Sequence, residues 1–348
     1  MKSVIINLNS GLEDESKMAD KAVEKCIKDF RAGDFVRGFF FIRLSEMKTT
    51  ATNNKYMNFT FSDNTGEINA KLWDSDEENV RRFPTGVIIK AEGRVTDWQG
   101  QLQFKIERIR RSLETDGIAI EQFIPSAPES GMRMLSYIEE KISQMQSEDL
   151  RKLTSAVISH YRDRLLVYPA AKANHHSVRG GLLYHTTSML KAAEGLLSVY
   201  DYLNRDLLYA GVILHDIGKI EEMEIADSGL VDSYSIGGVL LGHITQGVVL
   251  ISEFGKQEGV DPEIILLLQH MILSHHYIPE HGSPKMPHFP EAEMLHYLDI
   301  LDARMYDMKK AFESTDKGSF SERLRSLDNR MIYKSSFHAG EESAEDGE

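Results

Sequence analysis

The sequence predicts a two-domain protein in which a small all-β barrel precedes a longer all-α domain. Hydrophobic residues alternate with a period of two between about residues 34 and 109, the period of half-buried strands. From Met132 to about Tyr333 they recur with a helical period, broken by the proline-containing loop Ile278 to Pro290. Residues 114–131 lie between the two patterns and contain proline, serine and glycine, which indicates a linker.

Five strands and one short helix account for the N-terminal pattern. Two pairs of strands flank tight turns, Asp63 to Gly66 in the first pair and Trp98 to Gly100 in the second. Five strands in this order suit a small barrel of the OB type. The predicted strands are Asp34 to Arg43, Tyr56 to Phe61, Glu67 to Trp73, Gly86 to Thr96 and Gln101 to Ile109, with the helix near Asp76 to Arg82.

The alternation separates a barrel core from a polar face. Tyr56, Lys71 and Trp73 fall on the polar face, where an exposed aromatic ring beside a lysine would suit base stacking and phosphate contact. The alternative is that Trp73 covers a barrel edge or packs against the second domain. The residues predicted to point inward are Met57, Phe59, Phe61, Ile68, Ala70, Leu72, Leu102, Phe104 and Ile106.

These patterns divide the chain into five segments. An N-terminal extension, residues 1–30, contains a helix predicted from Ser16 to about Phe30 and has no assigned role. Residues 341–348 carry five acidic residues and no basic one, which predicts a disordered tail. The remaining segments are the barrel at 31–115, the linker at 116–131, the helical domain at 132–335 and the tail at 336–348.

Composition limits the function classes. A net charge of −14 argues against a nucleic-acid enzyme, because binding a polyanion relies on lysine and arginine. The acidity is uneven, however, since residues 31–115 contain 14 basic and 12 acidic residues. The single cysteine, Cys26, excludes an intrachain disulfide and a cysteine-rich zinc site. With no secretory signal and no apolar run of about 18 residues, the sequence predicts a cytoplasmic protein without a membrane span.

The helical half places histidine and aspartate at the ends of apolar helices. The run Leu207 to Leu214 is followed by His215 and Asp216, whose burial is costly unless something binds them. His243 follows a glycine-rich helical stretch, and His275 and His276 end another apolar run. Imidazole and carboxylate ligands suit Mn²⁺, Fe²⁺, Co²⁺, Ni²⁺ or Zn²⁺, with Mg²⁺ less favoured. The alternative for each histidine alone is a satisfied core or surface residue.

The order and surroundings of these residues resemble the HD phosphohydrolase superfamily of helical metal-dependent enzymes. Within it the chain resembles the YhaM-type 3′-to-5′ exoribonucleases, which carry an OB-fold before the HD domain. The resemblance covers roughly residues 30–335 and is most specific in the HD motifs. Its motifs are Asn174-His175-His176, Gly180 to Thr186 including His185, His215 to Lys219, Ser274-His275-His276 and Leu295 to Ala303 including Asp299.

With this resemblance, His185, His215, Asp216 and Asp299 are predicted to bind one metal ion. Asp302 is a rival for the last place, although the matching family position is Asp299. Asp216 would also bridge to a second ion, completed by His243, His275 and His276. Lys219 is a candidate catalytic cation, and His176 and Arg179 are candidates for gripping phosphate, unless all three are ordinary surface cations.

The predicted function is a metal-dependent 3′-to-5′ exoribonuclease that hydrolyses single-stranded RNA, with single-stranded DNA as a further substrate left open. The favoured cofactor is Mn²⁺, with Co²⁺, Fe²⁺, Ni²⁺ or Mg²⁺ as alternatives and one or two ions per chain. The strand polarity and the RNA preference are implied only by the resemblance. Two other hypotheses are an HD phosphohydrolase acting on a small nucleotide and a single-strand-binding regulatory protein with a vestigial HD site. A homo-oligomer is left open.

Overall fold

The computed structural model describes residues 25–50, 52–118, 120–172, 176–226 and 229–337. Most of the predicted N-terminal helix, the motif residues Asn174 and His175, and nearly all of the predicted acidic tail lie outside these ranges. The described end of that helix, Ile27–Asp29, is a single 3₁₀ turn, so the α-helix prediction is wrong there. The chain forms two compact units divided between Pro125 and Ser126.

The N-terminal unit contains five strands that close into a barrel, as the alternation predicted. The strands are β1 (Phe35–Thr49), β2 (Lys55–Ser62), β3 (Glu67–Trp73), β4 (Ile88–Trp98) and β5 (Gln101–Arg111). Their order around the barrel is β1-β2-β3-β5-β4, and β4 pairs again with β1. Neighbours are antiparallel except β3 and β5, which are parallel. Helix α1 (Glu77–Arg82) begins where Asp76 accepts a hydrogen bond from the amide of Asn79, as expected of an N-cap.

Phenylalanine rings fill the barrel. Phe40 and Phe61 stack at 5.5 Å between ring centroids, and Phe59 stacks on Phe61 at 5.4 Å. Leu102 is exposed, so its predicted inward position is wrong, because it pairs with Asp97 near the tip of the β4–β5 hairpin, outside the stretch of β5 that pairs with β3. Leu72 is partly buried against the core. The other residues predicted to point inward are buried: Met57, Phe59, Phe61, Ile68, Ala70, Phe104 and Ile106.

The C-terminal unit is mainly helical. Several helices begin at a side chain that accepts a backbone amide hydrogen bond, Ser130, Ser147, Asn204, Ser235 and Asp261, which satisfies donors that a helix start leaves open. The helices are α2 (Gly131–Ser143), α3 (Glu148–His160), α4 (Arg162–Leu165), α5 (Gly181–Leu197), α6 (Arg205–Leu214), α7 (Lys219–Glu222), α8 (Ile236–Gln257), α9 (Pro262–Ser274) and α10 (Pro290–Glu313).

The uniform helical pattern predicted for this half is wrong in two places. Strands β6 (Met223–Ile225) and β7 (Val231–Tyr234) form a small antiparallel hairpin between α7 and α8. After α10 the chain continues to residue 337 with isolated bridges and one 3₁₀ turn, Arg325–Leu327, instead of a helix. The strands of the hairpin have three and four residues, too few to separate a strand pattern from a helical one.

Helix α6 lies at the centre of this unit. Nine of its ten residues, all except Arg205, are buried, and it contacts α5, α9 and α10. A helix that is apolar on every side requires neighbours all round. The C-terminal end of α6 therefore opens into a space enclosed by other helices, and His215 and Asp216 follow it directly.

Among the described residues, α8 alone has the length and composition of a membrane span. The same helix carries His243 and packs along α7 and α9 within the helical unit. A single apolar helix with these neighbours does not indicate a membrane protein.

Candidate metal centre

Helix ends and helix turns in the C-terminal unit direct polar side chains at one buried point. The contributors are His185 from α5, His215 and Asp216 after α6, His243 from α8, His275 after α9 and Asp299 from α10. They come from segments up to 114 positions apart in the sequence, and the packing of α6 against α5, α9 and α10 brings most of them together. All six are buried or nearly so.

The carboxylate of Asp216 lies between two pairs of histidines. Its Oδ2 is 3.3 Å from Nε2 of His215 and 4.0 Å from Nε2 of His185. Its Oδ1 is 3.5 Å from Nε2 of His243 and 3.8 Å from Nε2 of His275. Each oxygen therefore faces its own pair of imidazole nitrogens, which is the arrangement that a carboxylate bridging two cations would have.

Asp299 joins the same centre from the opposite helix. Its Oδ1 lies 3.2 Å from Nε2 of His185. Ligand atoms that each bind one cation at about 2.1 Å are separated by roughly 3.0–3.4 Å in tetrahedral or octahedral geometry. The 3.2 Å between His185 and Asp299 and the 3.3 Å between His215 and Asp216 lie in this range, whereas the 4.0 Å between His185 and Asp216 is longer.

A hydrogen bond from Nδ1 fixes the orientation of each histidine ring in this set. The second ring nitrogen, Nε2, is therefore directed towards the carboxylates of Asp216 and Asp299. An acceptor on Nδ1 fixes the tautomer and orientation of a metal-binding imidazole. The acceptors are Asp302 for His185 at 2.7 Å, the carbonyl of Val212 for His215 at 2.9 Å, Glu222 for His243 at 3.3 Å and the carbonyl of Ile272 for His275 at 2.7 Å.

Several polar atoms at the centre are buried without a hydrogen-bond partner. They are Nε2 of His215, His243 and His275 and Oδ1 of Asp216. Leaving one such atom unsatisfied costs about 1–3 kcal/mol, so four converging on one point need an explanation. Imidazole nitrogens and a carboxylate oxygen that converge on one buried point are suitable ligands for a divalent metal ion, and the residues present therefore fit such a cofactor.

The electrostatics keep the carboxylates ionised. Burial would raise the pKa of Asp216, but the charges of Lys219 and the neighbouring histidines outweigh burial and hold that pKa well below its usual range. The pKa of Asp299 is lowered in the same way by its hydrogen bond to His185. Burial would lower the pKa of His185, whereas Asp299 and Asp302 raise it to about 9, so a cation that binds Nε2 would have to displace a proton from that ring. Ionised carboxylates are the form that binds cations.

Two glycines let α8 approach the His-Asp segment. A Cβ at Gly218 would lie 2.1 Å from the carbonyl oxygen of His243, so only glycine allows this contact. Gly242 has φ of 71° and ψ of 165°, which kinks α8 immediately before His243. The backbone amide of His243, released from the helical pattern, donates to Glu222 at 3.0 Å.

The remaining predicted site residues of the helical unit lie around this centre. Nζ of Lys219 is 2.6 Å from Oδ2 of Asp216, so its charge is held against the central carboxylate. The His276 ring meets the His275 ring edge to face at 4.1 Å between centroids, and ligand atoms of His243, His275 and His276 lie within 4.8 Å of one another. Asp302 binds Nδ1 of His185 and is therefore a support for that ring, which leaves Asp299 on the Nε2 side.

The two residues predicted to bind phosphate, His176 and Arg179, are less favourably placed for that role. His176 is buried, its Nε2 donates to Asp302 at 2.8 Å, and its ring lies 3.9 Å from that of Tyr306. The Arg179 guanidinium lies against the backbone of Gly229, where a Cβ would come within 2.7 Å of Nη1. These positions suit packing and support of Asp302 better than contact with an incoming phosphate.

A second candidate site lies on the β2–β3 face of the barrel. Tyr56 and Trp73 are paired across the strands, and their rings stack at 4.9 Å between centroids. Nζ of Lys71 lies 5.5 Å from the Tyr56 ring and 5.7 Å from the Trp73 ring. Trp73 is 40% exposed, so the barrel does not cover it.

Sequence reasoning did not find Glu222 or the supporting role of Asp302. Glu222 lies seven residues after His215, at the end of the short helix α7, and receives both the backbone amide and Nδ1 of His243. No local spacing marks it, because its partner is 21 residues away. For Asp302 a signal existed, since it lies one helical turn after Asp299 on the same face of α10.

Comparison with protein families matches both units of the chain. A model described as HD domain matches residues 182–304, and one described as OB-fold nucleic acid binding domain matches residues 43–111. The first range contains the candidate metal ligands from His185 to Asp299. The second lies within the closed barrel.

Curated relatives match nearly the whole chain. A protein of Halalkalibacterium halodurans named 3′-5′ exoribonuclease YhaM is 40% identical over 311 residues, which are 89% of this chain and 96% of the relative. Proteins of the same name from Geobacillus sp. (strain WCH70) and Listeria monocytogenes serovar 1/2a are 41% and 38% identical over 90% of this chain and 96% and 100% of their own lengths. At this identity and coverage, the chain belongs to the YhaM family, whose curated members are named 3′-5′ exoribonucleases.

Proposed function

We propose that this protein is a metal-dependent exoribonuclease that removes nucleotides from the 3′ end of single-stranded RNA. The observation that carries the proposal is the position of Asp216 between His185 and His215 on one side and His243 and His275 on the other. The names of the relatives supply the polarity and the substrate class.

The proposed metal ligands form two groups on either side of Asp216. His185, His215 and Asp299 would hold one cation with Asp216, and His243 and His275, with His276, would hold a second. Divalent cations in these places lower the pKa of a bound water and offset the charge that develops on phosphoryl oxygens during hydrolysis. We propose Mn²⁺ as the native ion, because the sites combine imidazole nitrogens with carboxylate oxygens.

The protein's own groups prepare the site for this chemistry. Asp302 and Glu222 fix the rings of His185 and His243, so that little reorganisation is needed when phosphate arrives. Lys219 carries a positive charge 2.6 Å from Asp216, where it balances carboxylate charge and can attract a non-bridging phosphate oxygen. Burial of these groups strengthens each electrostatic interaction relative to its value in water.

The barrel would hold the single strand. Tyr56 and Trp73 offer aromatic surface for bases, and Lys71 offers a charge for phosphate, the combination found in proteins that bind single strands. Single-stranded DNA could bind the same surface, because stacking does not depend on the sugar. A cytoplasmic location belongs to the proposal as well, supported by a chain whose single cysteine cannot form an intrachain disulfide.

The test is a comparison of substrates with pure protein. Wild type, Asp216→Ala and the control Asp201→Ala, which changes an exposed aspartate, are incubated with RNA, single-stranded DNA and a panel of nucleotides in the presence of Mn²⁺ or Mg²⁺. We expect RNA hydrolysis by wild type and Asp201→Ala and none by Asp216→Ala. Hydrolysis of free nucleotides without any cleavage of RNA or DNA would contradict the proposal and favour a small-nucleotide phosphohydrolase.

A further inference from the structure

The outer face of β1, β4 and β5 carries an unusual concentration of basic side chains. Register pairs place nine outward residues in three rows across the three strands, and we call them the basic grid. Six are basic, two are phenylalanine and one is acidic. The rows are Phe35, Arg94 and Lys105; Arg37, Glu92 and Arg108; and Phe39, Lys90 and Arg110.

Strand alternation explains why these side chains share one face. The residues between them, including Val36, Phe40, Ile89, Ala91 and Phe104, point into the barrel and are buried. Successive side chains of a strand point to opposite faces of the sheet, so the grid residues point outward. The grid is therefore a feature of the barrel surface and does not support the core.

Internal ion pairs do not account for the whole charge of the grid. Arg37 pairs with Glu92, Arg94 pairs with Glu107 at 3.4 Å, and Arg110 forms a two-pronged pair with Asp116 at 2.8 Å. In the described ranges of the chain, Lys90 and Arg108 form no ion pair with an acidic residue. Because the chain as a whole has a net charge of −14, a face with excess positive charge is a specific local feature.

Aromatic rings lie among the cations. The Arg94 guanidinium lies 5.0 Å from the centre of the Phe35 ring, and Nζ of Lys90 lies 5.0 Å from the centre of the Phe39 ring. A groove of about 290 Å³ runs between these strands, lined by Arg37, Lys90, Arg108 and Arg110 with Glu92. A groove with cations on its walls beside aromatic surface suits a flexible polyanion that also carries bases.

The grid adjoins the face formed by Tyr56, Lys71 and Trp73, which we call the Trp73 surface. Lys105 of the grid is the register partner of Lys71 on β3, and Lys71 lies beside the rings of Tyr56 and Trp73. Basic side chains therefore continue around the barrel from β2 and β3 to β5, β4 and β1. A strand bound at Trp73 would have cations along its path when it is extended in this direction.

We propose that the basic grid is a second contact surface for the phosphate backbone of single-stranded RNA, in addition to the Trp73 surface. This inference rests on the proposed exoribonuclease function, which supplies the class of ligand. The two surfaces together hold a longer segment of RNA than the Trp73 surface alone. Long RNA therefore binds more tightly than short RNA, and the difference depends on salt.

The experiment measures binding of a fluorescent 20-nucleotide oligouridylate at several salt concentrations. All proteins carry Asp216→Ala so that the probe stays intact. The test protein adds Lys90→Gln and Arg108→Gln, and the control adds Lys152→Gln and Lys309→Gln, which remove two exposed charges from the helical unit. We expect weaker binding by the test protein alone, with a slope of log affinity against log salt that is smaller by about 1.4 for two lost phosphate contacts.

Two further variants separate charge from folding. Lys90→Arg with Arg108→Lys keeps both charges and should bind like its parent. Asp116→Asn removes the carboxylate that neutralises Arg110 and should bind more tightly. The inference is overturned if the Gln variant and the control share one affinity and one salt slope, or if the charge-retaining variant loses as much binding as the Gln variant. Digestion of RNA by wild type tests the proposed function separately.

Discussion

The carboxylate of Asp302 accepts a hydrogen bond from Nδ1 of His185 at 2.7 Å, while Nε2 of the same ring faces Asp299 at 3.2 Å. One imidazole thus separates two aspartates that lie a single turn apart on α10. The two carboxylates have different neighbours, and they are therefore expected to have different functions. We therefore propose Asp299 as a metal ligand and Asp302 as a residue that orients one.

This difference predicts graded effects of substitution. Asp302→Asn should leave the metal bound but weaken its affinity by about 10–100-fold, the usual cost of losing such a support. Asp299→Ala should remove a ligand and lower the metal content of the purified protein at any practical metal concentration. Metal titration of both variants measures the difference, and equal metal affinities for Asp302→Asn and wild type would rule out the orienting role.

The histidines assigned to the second cation, His243, His275 and His276, predict that a substitution there removes only part of the bound metal. His243→Ala should stay folded and retain about half of the wild-type metal content, because the ligands around His185 are untouched. Glu222→Gln, which weakens the support of His243, should show a smaller loss of the same kind. Elemental analysis of the purified proteins provides the measurement. A single metal ion per chain in fully active wild type would instead indicate a mononuclear enzyme.

The Trp73 surface predicts a defect in binding without a defect in metal content. Trp73→Ala should weaken binding of single-stranded RNA by about 1–3 kcal/mol for each base that stacks there. Trp98→Ala serves as a matched control, because Trp98 is also exposed but lies at the tip of the β4–β5 hairpin. Fluorescence anisotropy gives both affinities. If the two variants bind alike, stacking at Trp73 does not contribute.

The pair formed by Arg110 and Asp116 predicts a pH-dependent contribution to stability. The hydrogen bond from Arg110 lowers the pKa of Asp116 in the folded protein, so folding favours the ionised carboxylate. The stabilisation is therefore present above the unfolded pKa of about 3.9 and is lost as pH falls from there towards the lowered folded pKa. Asp116→Asn should lower the Tm at pH 7, with a difference from wild type that narrows below about pH 4. A Tm difference that stays constant with pH would exclude this origin.

The sequence predicted the barrel, and it singled out the histidines and aspartates that the helical unit brings together, for physical reasons. Strict alternation in β2 and β3 determines which residues point inward, and the run before His215 is too apolar to be anything but a central helix. The hairpin of β6 and β7 was missed because three- and four-residue strands show too few periods to be recognised. Leu102 followed the alternation correctly but lies where the hairpin extends past its pairing with β3.

Supporting residues were harder to predict than the candidate ligands. Glu222 and Asp302 act through hydrogen bonds to His243 and His185, which are distant in sequence, so only the folded chain brings them into contact. His176 and Arg179 precede the first candidate ligand, His185, by nine and six residues, and this proximity in sequence suggested a phosphate contact. Their packing against Tyr306 and Gly229 depends on tertiary structure that no local pattern records.

The most direct test of the central claim follows one RNA with a label at either end. With Mn²⁺, wild type should convert a 5′-labelled single strand into a ladder of steadily shorter products and release the label of a 3′-labelled strand at once as mononucleotide. Asp216→Ala should do neither. Internal fragments among the first products, or immediate release of a 5′ label, would contradict an exonuclease that works from the 3′ end through the centre around Asp216.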